Sequence, residues 1–230
     1  MTIQTKTFSV EKINSVIEDV VIESDANYVI CRADPNDSVY ESRLYDSGFR
    51  FLDRVLFYEI DVRTFNDLRV DKIPGVEFAC DYEIGDNVYA LAHEAFNFDR
   101  RFFLAPSFDQ GTANYVIDAY LDNFKNRKLK IYKAIHDREL LGFTVVDEDV
   151  KEYKNCFENV LGATKPGIKG KMIAGSLYST MIAGEKDRFK KYIGRVSSLN
   201  LSSINLHSKL GGRVTEVYDE LVINHKKTEV

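Results

Sequence analysis

The last fifth of the chain, Arg195-Val-Ser-Ser-Leu-Asn-Leu-Ser-Ser-Ile-Asn-Leu-His-Ser-Lys-Leu-Gly-Gly-Arg-Val214, restricts the fold more than any other stretch. It reads as a strand ending at Asn200, a short helix through Leu210, a stop at Gly211 and a final strand. Asparagine is among the best helix amino-terminal caps, and glycine accepts the left-handed conformation that ends a helix. The segment therefore reads as a strand–helix–strand unit, with a helix too short to be stable without packing.

The 230 residues leave room for one large domain or two small ones. Hydrophobic residues at 44% and charged residues at 29% describe an ordinary soluble globular protein. A net charge of -5, with basic residues interspersed among acids, argues against nucleic acid as a partner. The basic run Lys186-Asp-Arg-Phe-Lys-Lys191 reads as a solvated face. Cys31, Cys80 and Cys156 are widely spaced, which fits reduced thiols and a cytoplasmic location. The amino terminus lacks an apolar signal core, and no run is long enough to span a bilayer. The four histidines lack ligand spacing, so no metal is expected.

Ser9 followed by Ile13, Val16, Ile17, Val20 and Val21 predicts a capped amphipathic helix. Tyr28-Val-Ile-Cys-Arg32 reads as a buried strand, followed by a short helix stopped by Gly48 and a long strand from Phe51 to Val62. The polar stretch from Thr64 to Gly75 reads as a connector. A strand over Glu77–Tyr82 and helices from Asp86 and over Thr112–Asn126 come next. Strands over Leu129–Ile135, Leu140–Val146 and Tyr153–Ala163 then form a meander. A helix over Lys171–Ala183 and a strand over Tyr192–Ser197 lead into the closing unit. The expected architecture is α+β, a mixed sheet with helices on its faces. Ser42–Arg50 and Asn205–Arg213 echo one another as helix, glycine stop and strand. This is either a common junction or the trace of a truncated internal copy.

Asn200, Ser203, Leu206, Lys209, Leu210 and Gly211 stand at the spacing Asn-x-x-Ala-x-x-Leu-Tyr-x-Lys-x-Gly-Phe. That segment resembles the closing signature of the GNAT superfamily of N-acetyltransferases, with His207 in place of tyrosine and Gly212 in place of phenylalanine. The element order from Glu77 onward is also that of the family. The resemblance implies a mixed, mostly antiparallel twisted sheet flanked by helices, spanning residues 76–230. An extra amino-terminal α/β lobe would occupy residues 1–70.

Pro166-Gly-Ile-Lys-Gly-Lys-Met-Ile-Ala174 follows a strand and opens a helix, so backbone N–H groups meet the positive end of a helix dipole. It resembles the family's acetyl-CoA loop, Gln/Arg-x-x-Gly-x-Gly/Ala, aligned as Gly167-Ile-Lys-Gly170-Lys-Met172. Met172 departs from the small residue usual there. The resemblance implies acetyl-CoA as co-substrate, with Gly167, Ile168, Lys169, Gly170, Lys171, Met172 and Ile173 on its pyrophosphate. The pantetheine arm would lie in a splay between the Leu140–Val146 and Cys156–Ala163 strands, pairing with backbone at Val160, Leu161 and Gly162. Asn200 and Leu206 complete the donor contacts, and Asn200 can cap its helix at the same time.

The implied reaction is attack of a neutral amine on the acetyl carbonyl, then protonation of the leaving thiolate. His207 stands at the acid's position, where an imidazole can serve near neutral pH; it also reads as an ordinary core or surface histidine. Glu158 is the candidate base, and equally a plain strand-end carboxylate. Ala90-Leu-Ala-His-Glu-Ala-Phe-Asn-Phe-Asp-Arg-Arg-Phe102, Ala113–Tyr120 and Gly142-Phe143 resemble the TDP-fucosamine acetyltransferase branch, which acetylates a nucleotide-linked amino sugar. Arg100 and Arg101 would then meet a diphosphate by bidentate bonds, with Phe102 stacking on base or sugar, although paired arginines also form surface ion pairs and core packing explains the phenylalanine equally well. Another small amine as acceptor, and a degenerate fold that binds without catalysis, remain open. So does a homodimer.

Overall fold

The structure is a computed structural model that describes residues 3–5, 28–69, 73–96, 110–150, 153–165 and 167–224. The elements are β1 (Ile3–Thr5), β2 (Tyr28–Ala33), α1 (Ser38–Asp46), β3 (Arg50–Asp61), β4 (Val76–Asp81), α2 (Asp86–Phe96) and α3 (Gln110–Asn126). They continue as β5 (Lys130–His136), β6 (Glu139–Asp147), β7 (Cys156–Thr164), α4 (Ile168–Glu185), β8 (Lys191–Ser197), α5 (Leu201–Lys209) and β9 (Arg213–Asn224). From β4 onward the order is the one expected from the sequence, and the sheet is mixed and mostly antiparallel. The helix expected around Ile13–Val21 lies outside the described residues.

The chain divides into two compact units. The smaller takes residues up to Leu56, Ser197–Leu199 and residues from Glu216 onward, whereas the sequence suggests a boundary near residue 70. In it, β1 runs parallel to β2, and β2 pairs antiparallel with β9 from Tyr28↔Asn224 to Ala33↔Asp219. Helix α1 buries Tyr40 and Leu44 against Cys31, Ala33, Phe49 and Leu221. Asp219, 1% exposed, is gripped by Arg54 through Nε at 2.6 Å and Nη2 at 2.7 Å. This is the bidentate geometry that makes a buried carboxylate tolerable. All three cysteines are unpaired, and burial pushes the Cys31 thiol up to about 11, which keeps it protonated and inert.

The larger unit takes Phe57–Val196 and Asn200–Thr215. Strands β4, β5, β6 and β7 form an antiparallel meander, and β8 adds to β7 in parallel. Alternation along the strands sends side chains to two faces, each covered by helix. On one face, α4 lays Ile173, Leu177, Met181 and Ile182 over Tyr132, Phe157 and Tyr192. On the other, Val88, Leu91 and Ala92 of α2 join Ile117, Leu121 and Phe124 of α3 over Ile131, Phe143 and Val145. The β5–β6 turn holds Asp137 and Arg138 at φ 46° and 69°, the pair of positive angles that a tight hairpin requires.

The connector after β3 packs within this unit. Asn66 donates from its backbone N–H to the Leu210 carbonyl at 2.9 Å and from Nδ2 to the Lys209 carbonyl at 3.0 Å. It thereby satisfies carbonyls that the end of α5 leaves without helical partners. Leu68 N–H donates to Ser179 Oγ on α4 at 2.8 Å.

The echo between residues 42–50 and 205–213 is real at the level of the helix end. In α1, Gly48 N–H reaches the Tyr45 carbonyl and Phe49 N–H the Leu44 carbonyl, with Gly48 at φ 88°. In α5, Gly211 N–H reaches the Ser208 carbonyl and Gly212 N–H the His207 carbonyl, with Gly211 at φ 92°. Both are Schellman closures, which require a residue in the left-handed region that glycine occupies without steric cost.

Candidate active site

Strands β7 and β8 are in register from Cys156↔Lys191 to Asn159↔Gly194, and their pairing ends there. Beyond that point β7 continues to Thr164 and β8 to Ser197. The parting coincides with a bulge: Val145 faces Leu161 while Val146 faces Asn159, so Val160 is an extra residue in β7. A bulge bends its strand and increases local twist, which accounts for the end of its pairing with β8. The two strands therefore open into a V whose inner edges can pair with an extended chain.

This corrects the expected position of the splay. Strands β6 and β7, between which the sequence reading puts it, are paired from Gly142↔Thr164 to Asp147↔Glu158. The opening lies on the other side of β7. On that side Val160, Leu161 and Gly162 follow the last residue of β7 in register with β8.

Helix α4 begins just past the end of β7. Its cap is Gly167, at φ 110°, with no side-chain cap bond, and a Cβ there would meet nothing within 4 Å. The first turn holds no acidic residue. Among the described residues no side chain caps its first N–H groups, which form the positive end of the helix dipole. The side chains of residues 168–171, and with them Ile168, Lys169 and Lys171, lie outside the description. Met172 is exposed, and Ile173 is buried in the core beneath α4.

Helix α5 starts at Asn200, whose Oδ1 accepts from Ser203 N–H at 3.0 Å. The capping role read from the sequence is therefore present. An Asn200→Ala change is expected to cost about 1 kcal/mol, lowering Tm by roughly 2–4 °C for a chain of this size; a thermal melt checks it. Leu206 packs against the α4-side core.

His207 is 1% exposed and is enclosed by three tyrosines: Tyr58 and Tyr178 with ring centroids at 5.3 and 5.6 Å, and Tyr192 stacked at 5.8 Å. Its Nδ1 lies 2.8 Å from the Ser203 carbonyl and its Nε2 2.9 Å from the Tyr192 hydroxyl. A carbonyl only accepts, so Nδ1 carries the proton and Nε2 accepts from Tyr192. Burial drives the imidazole pKa down to about 4, against a smaller upward pull from the Ser203 carbonyl. Burial likewise pushes the Tyr192 phenol well above its ordinary range. The ring is neutral at physiological pH, with both nitrogens engaged.

Gly194 admits this ring to the apex of the V. A Cβ at 194 would stand 2.4 Å from His207 Nε2 and 3.1 Å from Tyr192 Oη. Gly212 has the same logic where the family pattern has phenylalanine, because a Cβ there would stand 2.8 Å from the His207 carbonyl oxygen and 3.0 Å from the Tyr58 ring. Glycine at 212 is thus a packing requirement of this helix end.

Glu158 is 7% exposed and forms an ion pair with Arg195 Nε at 2.9 Å, across the parallel pair of strands. Arg195 also lies over the Phe57 ring at 5.6 Å. Arg100, Arg101 and Phe102 lie outside the described residues. The structure gathers at the apex four residues that the sequence reading does not single out: Asn159, Tyr178, Tyr192 and Gly194. A lone glycine inside the strand Tyr192-Ile-Gly194 and a polar Asn159 in mid-strand are the signals that point to close approach. Among the described residues no cluster of histidine, cysteine or carboxylates is placed to hold a metal ion, and no helix is long and apolar enough to cross a membrane.

The fold, with its parting pair of parallel strands, is one also seen in solved structures of GNAT proteins. A tandem GNAT protein from the clavulanic acid biosynthesis pathway superposes with a TM-score of 0.63 at 10% identity, covering 99% of this chain and 77% of its own. A GCN5-related N-acetyltransferase from Kribbella flavida gives 0.58 at 12% identity, covering 94% and 77%. A functionally unknown conserved protein from Staphylococcus epidermidis gives 0.67 at 9% identity, covering 96% and 82%. No protein-family model matches the sequence, and no curated protein matches it. At such identities the likeness defines the fold; these structures carry nothing toward the TDP-fucosamine branch.

Proposed function

We propose that the protein is an acetyl-CoA-dependent N-acetyltransferase that acetylates a primary amine by direct attack on the thioester. The observation that carries this is the opening of β7 from β8 after Asn159↔Gly194, with the bulge at Val160. A pantetheine arm, with its amides, is the kind of extended chain such an edge takes up. The start of α4, from Gly167 to Lys171 with Met172 beside it, receives the pyrophosphate, while Ile173, buried beneath α4, anchors that turn instead of touching the ligand, and Asn200 and Leu206 flank the arm from α5. Backbone N–H groups of the bulge are the natural donors to the oxyanion.

The departing thiolate takes up the proton that the acceptor ammonium releases, relayed through the Tyr192 hydroxyl and His207 Nε2 rather than supplied by His207 alone, whose own proton is held on Nδ1 by the Ser203 carbonyl. Glu158 is kept as the candidate base for the incoming ammonium; its pairing with Arg195 means the guanidinium must loosen for it to act. The acceptor is proposed to be the amino group of a nucleotide-linked amino sugar, as in the TDP-fucosamine branch, with Arg100 and Arg101 on its diphosphate and Phe102 beside them. The support is the pair of helices Asp86–Phe96 and Gln110–Asn126.

Calorimetry with acetyl-CoA, followed by assay of CoA release against nucleotide amino sugars and other small amines, tests the proposal. Binding and release with an amino sugar are expected. Binding with release only on other amines moves the acceptor class, and no binding at millimolar concentration overturns the enzymatic reading in favour of a non-catalytic fold.

A further inference from the structure

We infer that Asn159 is a positioning residue: it holds the bulged segment of β7 in the one backbone shape to which the donor arm pairs. This rests on the acetyl-CoA reading above. Asn159 is the last β7 residue in register with β8 and immediately precedes the extra residue Val160. Its side chain reaches forward over the bulge. Nδ2 donates to the Leu161 carbonyl at 3.1 Å and to Thr144 Oγ1, and Oδ1 accepts from the Tyr178 hydroxyl at 3.2 Å. Thr144 is fully buried and Tyr178 nearly so, and burial pushes the Tyr178 phenol up to about 12. These groups have little access to water, so each depends on the asparagine amide for part of its hydrogen bonding.

The consequence runs through one peptide unit. The Leu161 carbonyl and the Gly162 N–H are opposite ends of a single planar trans peptide, so fixing the carbonyl toward Asn159 aims the Gly162 N–H the other way. Gly162 itself is required, because a Cβ there would stand 2.7 Å from Tyr178 Oη and 3.3 Å from Asn159 Nδ2. The asparagine amide, the phenol and the missing side chain together set the direction of a donor in the stretch Val160–Gly162, without any of them needing to touch the ligand.

The test uses the full chain, ¹⁵N-labelled, as wild type, Asn159→Asp and Tyr178→Phe. Aspartate keeps acceptors for Tyr178 but cannot donate to the Leu161 carbonyl; phenylalanine keeps the ring and removes the hydroxyl. Three readouts are taken: the Gly162 amide resonance and its exchange rate without ligand, acetyl-CoA affinity by calorimetry, and Tm. Asn159→Asp is expected to shift the Gly162 amide, speed its exchange and weaken acetyl-CoA binding about tenfold, the scale of one hydrogen bond. Tyr178→Phe should do the same more weakly. An unchanged Gly162 amide and unchanged affinity in Asn159→Asp overturn the role while leaving the acetyl-donor reading intact. If that variant does not fold, the same null result in Tyr178→Phe overturns it. Absence of acetyl-CoA binding by the wild type overturns the acetyl-donor reading, and the role falls with it.

Discussion

Gly194→Ala is expected to damage both stability and acetyl-CoA binding, although it adds one methyl group. The methyl carbon would stand 2.4 Å from His207 Nε2, 2.6 Å from Cδ2 and 3.1 Å from Tyr192 Oη. The imidazole has nowhere to retreat. Its Nδ1 is tied to the Ser203 carbonyl at 2.8 Å, and the Tyr58 and Tyr178 rings close it in. Overpacking of this kind costs about 1–3 kcal/mol, which lowers Tm by several degrees, since each kcal/mol is worth roughly 2–4 °C here. The displacement falls on the last pair in register before the strands part, so donor affinity should fall with it. The double variant Gly194→Ala/His207→Ala should recover part of the loss, because removing the ring makes the space that the methyl needs. Melting temperatures and acetyl-CoA calorimetry on the two single variants and the double close this cycle. A Gly194→Ala protein that melts and binds like the wild type would sink the account of the apex.

Acidification is expected to destabilise the protein between about pH 6.5 and about pH 4 through His207. In the unfolded chain this imidazole takes up a proton near its ordinary 6.5, whereas in the fold burial delays uptake to about 4. Between those values the unfolded state binds more protons, so stability rises with pH across the window and is lost as pH falls through it. A displacement of this size corresponds to roughly 3 kcal/mol. The carboxylate Glu148, held low by Arg188 and then Lys130, loses its contribution only below its ordinary 4.5, which leaves the upper part of the window to histidine. Urea midpoints taken from pH 7 to pH 4 should slope by up to one proton in the wild type and less in His207→Phe. Parallel slopes in the two proteins would contradict a buried neutral His207.

The order of elements was legible because each rests on local signals. Asn200 before an apolar stripe, Gly48 and Gly211 at helix ends, and Asp137-Arg138 between alternating runs act over a few residues. Their outcome does not depend on the rest of the molecule. The glycine-bearing turn before α4 was legible for the same reason. The position of the opening was not. Whether β7 parts from β6 or from β8 depends on which side of the strand the extra residue Val160 is accommodated, and that is a matter of register between strands distant in the chain.

His207 shows the division most clearly. The signals from Asn200 to Gly211 place position 207 on a short helix, and near-neighbour interactions are enough for that, while its importance comes from the resemblance of the segment to the family signature. Its protonation state belongs to the tertiary structure. Tyr58, Tyr178 and Tyr192 come from β3, α4 and β8, and only folding gathers them around the imidazole, excludes water and leaves the ring neutral. The sequence by itself determined the elements, their order and the helix that carries position 207, because these follow from interactions between near neighbours. The parting of β7 from β8, the clamp of Asn159 on the bulge and the charge of His207 were decided by tertiary structure, since each arises from desolvation and hydrogen bonds between segments far apart in the chain.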